Sequence, residues 1–174
     1  MLTKIELTDK IELKKEASKK IFIKYNNQTN EDVRVYTKLK KAFKSKNYKL
    51  VDSFENANYL LDLNLIFANE IEKRSTTKNI LSNVNLGVSI GHVFGNVGVS
   101  GSIGTKIGTI LGDSLDSSSY QIVFDVTIKE YIQNGKLEER FTQVIAETVI
   151  DEKPLQYTID ILEDEIAKKI AELF

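Results

Sequence analysis

The feature that most constrains the fold of this 174-residue chain is a glycine-rich, almost uncharged block in its middle. Eight of the nine glycines lie between Gly87 and Gly112, and Lys106 is the one formally charged residue at positions 79–112. Because 28% of all residues are charged, a solvated loop of this length would carry many more charges. A structureless loop of this size is also improbable in a compact domain. The block therefore predicts an inserted structural unit that packs against apolar surroundings.

The spacing of the glycines favours a helical hairpin. Successive glycines are three or four residues apart, which places them on one face of each helix. Such faces let helix backbones approach closely in lipid, so we expect arms at about 78–94 and 102–115 that lie in a membrane and associate with copies of themselves. The residues predicted to mediate oligomerisation and membrane contact are the glycines and their apolar neighbours: Gly87, Val88, Gly91, Val93, Phe94, Gly95, Gly98, Gly101, Ile103, Gly104, Ile107, Gly108, Ile110, Leu111 and Gly112.

Two other structures fit parts of this block. In the first arm, Val84, Leu86, Val88 and Ile90 alternate with small or polar residues, a pattern typical of a strand. A membrane β-hairpin that contributes to an oligomeric barrel would show this alternation. The third possibility is a flexible glycine- and serine-rich lid.

The sequence on both sides of the block predicts one α+β body. Period-two alternation indicates long strands near 59–67 and 120–128, and apolar stripes indicate helices near 31–45 and after Pro154. The predicted order is strand, strand, helix, strand, strand, insert, strand, strand, helix. We therefore expect a mixed sheet with two packing helices, formed by residues 1–77 and 116–174, with residues 78–115 as the inserted hairpin.

Three local signals refine this prediction. The alternation from Tyr59 to Phe67 places both residues on the same apolar face of a strand. Asn30 is the expected N-cap of the first helix, which would begin at about Glu31. A tight turn is expected at Asn134–Gly135, between the last two strands.

Composition excludes several classes of function. The net charge of −1 and pI of about 6.0 are not those of a nucleic-acid-binding protein. The absence of cysteine and the single histidine, His92, remove disulfide scaffolds, thiolate chemistry and multi-histidine metal sites. We therefore expect no catalytic residues, no cofactor, no metal and no enzyme activity. A lysine-rich helix face either contacts acidic surfaces such as lipopolysaccharide phosphates or is simply solvated: Lys38, Lys40, Lys41, Lys44 and Lys46.

Four segments surround the glycine-rich block in a specific order and spacing. They are IFIKYNNQTNEDV, LKKAFKSKNYKLVDSFENANYLLDLNLIFANE, GDSLDSSSYQIVFDVTIKE and KPLQYTIDILEDEIAKKIAELF. Through these segments the chain resembles, over nearly its whole length, the TraT complement-resistance and surface-exclusion lipoprotein family.

The resemblance implies an oligomeric lipoprotein exposed at the bacterial outer membrane, which blocks redundant conjugative transfer and protects against complement. Outer-membrane lipid and conjugation components at the cell surface are the expected partners besides further copies of the chain. The alternative function is a ring-forming lipoprotein that assists an outer-membrane secretion system. A third hypothesis is a cytoplasmic binding module with a glycine-rich lid.

Two features depart from the family pattern. The start, MLTKIELTDK, contains four charged residues and no apolar segment, so no signal peptide is visible, and the family's lipid-bearing cysteine is also missing. We expect both to lie upstream of the sequence given. The block at 79–112 is also poorer in alanine and richer in Val, Ile, Ser and Asn than is usual in the family.

Overall fold

The computed structural model describes residues 2–15, 17–71, 110–111, 118–132 and 135–174. The described elements follow the predicted order of strands and helices. They are β1 (Thr3–Leu7), β2 (Lys20–Asn27), α1 (Val35–Ser45), β3 (Lys49–Leu50), a 3₁₀ turn (Phe54–Asn56), β4 (Tyr59–Ile71), β5 (Ser119–Tyr131), β6 (Leu137–Val149) and α2 (Leu155–Ala171).

The six described strands form one mixed sheet in the order β1–β6–β5–β4–β2–β3. Strands β1, β6, β5 and β4 pair successively in antiparallel orientation, whereas β2 is parallel to both β3 and β4. The sheet therefore combines strands from before and after the insert, with β4 and β5 paired at its centre. Ile71 at the end of β4 is the register partner of Ser119 at the start of β5, so the insert leaves and re-enters the sheet between adjacent strands.

Both helices pack on one side of the sheet, which we call the first face. Alternate residues of the central strands point to this side, including Leu61, Leu63 and Phe124, and all three are fully buried. Leu39 of α1 and Leu162 of α2 are buried against them in the same cluster. This arrangement confirms the predicted α+β body with a mixed sheet and two packing helices.

A β-bulge in β4 moves one predicted core residue to the other side of the sheet, the second face. Leu65 pairs with Phe124, but after the bulge it is Phe67 that pairs with Val123. The extra residue, Ile66, shifts all later side chains by one position. Phe67 is buried on the second face, so the prediction that it shares the first face with Leu65 is wrong. Alternation counts residues along a strand and cannot detect an unpaired one.

The first helix also begins later than expected. Helix α1 starts at Val35, and its N-cap residue is Arg34 rather than Asn30. The backbone N–H of Arg34 donates a 2.6 Å hydrogen bond to Oε1 of Glu163, which is fully buried in α2. A carboxylate near a helix N-terminus is electrostatically favourable. The start of α1 is therefore fixed by the second helix, far away in sequence, and not by a local capping side chain.

Of the turn predicted at Asn134–Gly135, the structure describes Gly135, whereas Asn134 lies outside the described residues. Gly135 has a positive φ of 71°, and its N–H donates a 2.9 Å hydrogen bond to the carbonyl of Ile132. Glycine adopts this left-handed conformation without steric cost. Pro154 precedes α2 immediately, as expected for a residue without an N–H group.

Candidate functional site at the root of the insert

The described residues at the end of the glycine-rich block and at the adjoining strand ends form what we call the insert root: Ile71, Ile110, Leu111 and Ser119. Ile71 and Ser119 are both 4% exposed, and they face each other across the β4–β5 pair. Ile110, at 9% exposure, is buried as well. The insert is therefore joined to the body at the buried ends of the two central strands, where its backbone polar groups need hydrogen-bond partners.

Those partners come from one buried carboxylate. Glu147 in β6 is fully buried, and its Oε2 accepts hydrogen bonds from the backbone N–H groups of Ile110 at 2.6 Å and Leu111 at 3.3 Å. Its Oε1 accepts a hydrogen bond from the hydroxyl of Ser119. Burying a carboxylate costs free energy unless it is hydrogen-bonded, and bonds to a charged acceptor are stronger than neutral ones. Glu147 therefore joins the end of the insert to two strands of the body.

A lysine on the neighbouring strand completes this arrangement. Lys4 in β1 is the register partner of Glu147, and its Nζ donates a 3.0 Å hydrogen bond to the carbonyl of Ile110. The same ammonium group forms a 2.8 Å ion pair with Glu6. The backbone of Ile110 is thus held at its N–H by a carboxylate and at its carbonyl by an ammonium group. We call Glu147 and Lys4 together the root clamp.

The root clamp belongs to a second sheet face of mixed polarity. Val123 and Ile145 are register partners on this face, and both are fully buried. Polar rows flank them on each side. These rows consist of Asn69, Gln121 and Glu147 on the side of the root, and Asn64, Asp125 and Gln143 on the other.

The buried polar residues of this face differ in how fully their side chains are hydrogen-bonded. Asp125 is 5% exposed, and its Oδ1 accepts a 2.6 Å hydrogen bond from Nε2 of Gln143. Burial raises the pKa of the Asp125 carboxyl, and the bond from Gln143 opposes that shift only in part. Gln121 is fully buried, and its amide oxygen and nitrogen have no hydrogen-bond partner among the described residues.

The root clamp positions backbone groups of the insert. The carboxylate of Glu147 is occupied by N–H and hydroxyl donors, as expected of a structural anchor. Within the described ranges, no group of three or more His, Cys, Asp or Glu side chains could hold a metal ion. None of the described helices is both long enough and apolar enough to cross a membrane.

Of the predicted oligomerisation and membrane residues, the structure describes Ile110 and Leu111 and brings both to the root clamp. The other members lie outside the described residues, as does the rest of the hairpin predicted at 78–115: Gly87, Val88, Gly91, Val93, Phe94, Gly95, Gly98, Gly101, Ile103, Gly104, Ile107, Gly108 and Gly112.

Sequence reasoning missed Glu147 and Lys4 as members of the site. Lys4 occupies a polar position of an alternating strand, which normally faces solvent, and Glu147 lies in a strand without regular alternation. The available signal was the segment VIAETVI, where a single carboxylate stands among six residues without charge. Charged residues are rarely buried without a partner, so such a position predicts a hydrogen-bonded carboxylate only once the strand is known to be covered on both faces.

The fold and the insert root define an α+β sheet domain that anchors a long glycine-rich insertion between its two central strands. The model of the enterobacterial TraT complement resistance protein family matches residues 2–152. The chain therefore belongs to the TraT family, as the resemblance predicted. Among curated proteins, no sequence matches the chain.

Several solved structures show a distant similarity to this one at very low sequence identity. A minor lipoprotein from Acinetobacter baumannii has a TM-score of 0.40 at 13% identity, with 88% of each chain covered. A PelC dodecamer from Paraburkholderia phytofirmans has a TM-score of 0.42 at 9% identity, with 98% of each chain covered. The hypothetical protein CT253 from Chlamydia trachomatis has a TM-score of 0.49 at 7% identity, covering 90% of this chain and 98% of its own. Likenesses this distant say nothing about function.

Proposed function

We propose that this chain is a non-enzymatic outer-membrane lipoprotein of the TraT type, exposed at the bacterial surface. Several copies assemble through their glycine-rich inserts in the lipid, and the assembly mediates surface exclusion in conjugation, complement resistance, or both. The observation that carries this proposal is the family match over residues 2–152, which spans the whole glycine-rich block. That match also favours it over a secretion accessory or a cytoplasmic binding module.

The composition of the block supports its assembly in lipid. Each glycine in a helix costs about 1 kcal/mol relative to alanine in water, so an isolated helical hairpin with eight glycines would be unstable there. Close packing of small-residue faces against other copies offsets this cost in an apolar environment. The single charge in the block, Lys106, is consistent with such surroundings.

The root clamp supports an insert whose exit from the body is fixed. Glu147 and Lys4 hold both backbone polar groups of Ile110, and Ser119 connects the same carboxylate to β5. Directional hydrogen bonds of this kind set the orientation of a segment as well as its position. Copies that share this geometry would present their inserts in the same orientation, which ordered assembly requires.

The direct test of function uses recipient cells that express the full-length gene. Conjugation frequency into these cells and their survival in serum are compared with those of cells lacking the gene. We expect the double substitution Gly91→Leu and Gly108→Leu to prevent assembly in detergent, measured by light scattering, and to return the cells to the phenotype without the gene. The substitution Gly135→Asn is the matched control, because Gly135 lies outside the block and asparagine tolerates a positive φ. Full activity of the double variant would contradict assembly through the insert.

Membrane insertion is tested separately with charges in the insert. A charge at the centre of a bilayer costs about 2.5–3.5 kcal/mol, whereas a charge on a solvated segment costs almost nothing. We expect Val88→Asp and Ile107→Asp to move the protein out of the membrane fraction. A protein that is monodisperse without detergent and unchanged by either substitution would instead support the third possibility for the block, a flexible glycine- and serine-rich lid.

A further inference from the structure

Positive charge is concentrated in one segment of the chain. Residues 14–49 contain 12 of the 24 basic residues and 3 of the 25 acidic ones, which gives the segment a formal charge of +9. Since the whole chain has a net charge of −1, the remaining residues carry −10. The nearly neutral average therefore hides a strongly dipolar molecule.

The fold gathers much of this charge at one end of the sheet. The backbone N–H of Lys49 donates a 2.7 Å hydrogen bond to the carbonyl of Lys19, and Lys20 is the register partner of Lys49. The Nζ of Lys19 also donates to the carbonyl of Lys46 at 3.2 Å. The loop before β2 thus meets the turn after α1. We call the lysines of these two segments and of the last turns of α1 the lysine end: Lys15, Lys19, Lys20, Lys41, Lys44, Lys46 and Lys49.

Most of these lysines face solvent without an acidic partner. Lys15, Lys20, Lys41, Lys44 and Lys49 are exposed and form no ion pair in the described part of the chain. Two carboxylates, Asp52 and Glu55, border the groove beside Lys20 and Lys49 without reaching ion-pair distance.

Other lysines of the segment are engaged with neighbours. The Nζ of Lys38 lies 3.0 Å from Asp164, so Lys38 belongs to the contact between the helices and not to the lysine end. Burial lowers the pKa of Lys46, and the nearby ammonium groups of Lys15 and Lys19 lower it further, whereas Glu172 raises it. Like charges therefore repel one another here, and an anionic partner would relieve that repulsion.

The chemistry of the lysine end fits a diffuse anionic surface better than a folded protein partner. Protein interfaces depend on a few aromatic or apolar anchor residues and on arginine. Among the residues that the structure describes, the exposed large apolar side chains are Leu2, Leu137, Leu155 and Tyr157, and none of them lies in residues 14–49. This segment contains eleven lysines and one arginine, Arg34. Lysine acts as a flexible, hydrated point charge, which suits phosphate groups of no fixed geometry.

We propose that the lysine end docks on an anionic lipid surface and binds its phosphate head groups. This surface is distinct from the insert root. Strand β4 runs from Tyr59, the register partner of Ile21 beside the lysine end, to Ile71 at the root. Thirteen residues at about 3.3 Å each separate the two ends by roughly 40 Å. Docking by the lysine end therefore adds a second contact to the one proposed for the insert, and the two can be disrupted independently.

The test measures binding of the full chain to vesicles of phosphatidylcholine alone and of phosphatidylcholine mixed with phosphatidylglycerol. We expect tighter binding to the anionic vesicles and a preference that declines steeply with salt. Each lysine near an anionic surface contributes about fivefold in affinity. Because four such factors multiply, the combined substitution Lys15→Gln, Lys41→Gln, Lys44→Gln and Lys49→Gln should reduce the preference by about 600-fold, and a loss of about 25-fold, the effect of two lysines, is the smallest that fits the proposal.

A matched control removes the same charge elsewhere. The combination Lys10→Gln, Lys129→Gln, Lys136→Gln and Lys153→Gln should keep most of the preference, and circular dichroism should show that both variants are folded. Val88→Asp should weaken binding to both kinds of vesicle alike, which separates failure of the insert from failure of the lysine end. Equal binding of the wild type to the two vesicles, or equal losses in the two lysine variants, would overturn the proposal. Soluble polyphosphate that abolishes vesicle binding at the same phosphate concentration as the vesicles would also overturn the proposal, and it would indicate a soluble polyanion as the partner.

Discussion

The two faces of the sheet are both buried, but different interactions hold them. On the first face, Leu61, Leu63 and Phe124 lie in one buried apolar cluster with residues of both helices. On the second face, Glu147 and Asp125 lie among amides and a short apolar row, and they are satisfied by hydrogen bonds. Apolar burial is non-directional, whereas hydrogen bonds depend on angle and distance. The first face therefore supplies most of the stability, and the second determines how the insert is attached.

This difference has a consequence for the way in which each face fails. Loss of an apolar side chain leaves a cavity that weakens the whole cooperative fold. Loss of a buried acceptor leaves particular donors unsatisfied, and its effect is concentrated on the segment that supplies those donors. Substitutions on the two faces should therefore differ in the extent of the molecule that they affect as well as in their size.

The largest effect is expected on the first face. Phe124 is fully buried, and its ring centroid lies 6.1 Å from that of Tyr25. The substitution Phe124→Ala should lower the free energy of unfolding by about 3–5 kcal/mol, because it removes buried surface and leaves a cavity. Urea denaturation followed by circular dichroism measures this change. Leu137→Ala, at a position that is 39% exposed, should stay within about 0.5 kcal/mol of the wild type. Similar losses at the two positions would show that the first face does not dominate stability.

A smaller and more local effect is expected at the root clamp. Glu147→Gln removes the negative charge. It leaves a single carbonyl oxygen for the backbone and hydroxyl donors that share two carboxylate oxygens in the wild type. We expect a loss of about 1–3 kcal/mol. The loss should be accompanied by faster hydrogen exchange at the amides of Ile110 and Leu111, measured by NMR or mass spectrometry. Unchanged exchange at these amides would contradict the anchoring role of Glu147. Glu139→Gln, on the exposed part of β6, serves as the control.

The sequence predicted the first face much better than the second. Alternation in β4 and β5 and the apolar stripe of α2 are local patterns, and they correctly indicated the strands, the helices and their order. The bulge at Ile66 was not predictable, because it appears only when β4 is paired with β5. The start of α1 was missed for a related reason. Its cap is the carboxylate of Glu163, supplied by a helix more than a hundred residues later.

The candidate site was predictable only in its location. The glycine-rich block indicates the inserted segment, and its pattern places Ile110 and Leu111 among the residues of its contact surface. The residues that bind them, Glu147 and Lys4, lie on strands far apart in sequence, and they meet only because β1 pairs with β6. A polar residue in an alternating strand looks the same in sequence whether it faces water or a buried segment. Whether such a residue faces water or a buried segment depends on what covers the second face.

The smallest effect concerns the cost of burying Asp125 on the second face. Burial raises its pKa above the ordinary value of 3.8. As the pH rises from that value through the raised one, the unfolded chain releases its proton first, so the native state becomes relatively less stable. Asp125→Asn cannot ionise and should keep the 2.6 Å bond from Gln143. We expect melting temperatures measured between roughly pH 3 and pH 7 to favour the variant increasingly over the wild type as the pH rises. Asp52→Asn, at an exposed position, should follow the wild type throughout. If Asp125→Asn also followed it, Asp125 would not be desolvated, and the second face would be open to water at this row.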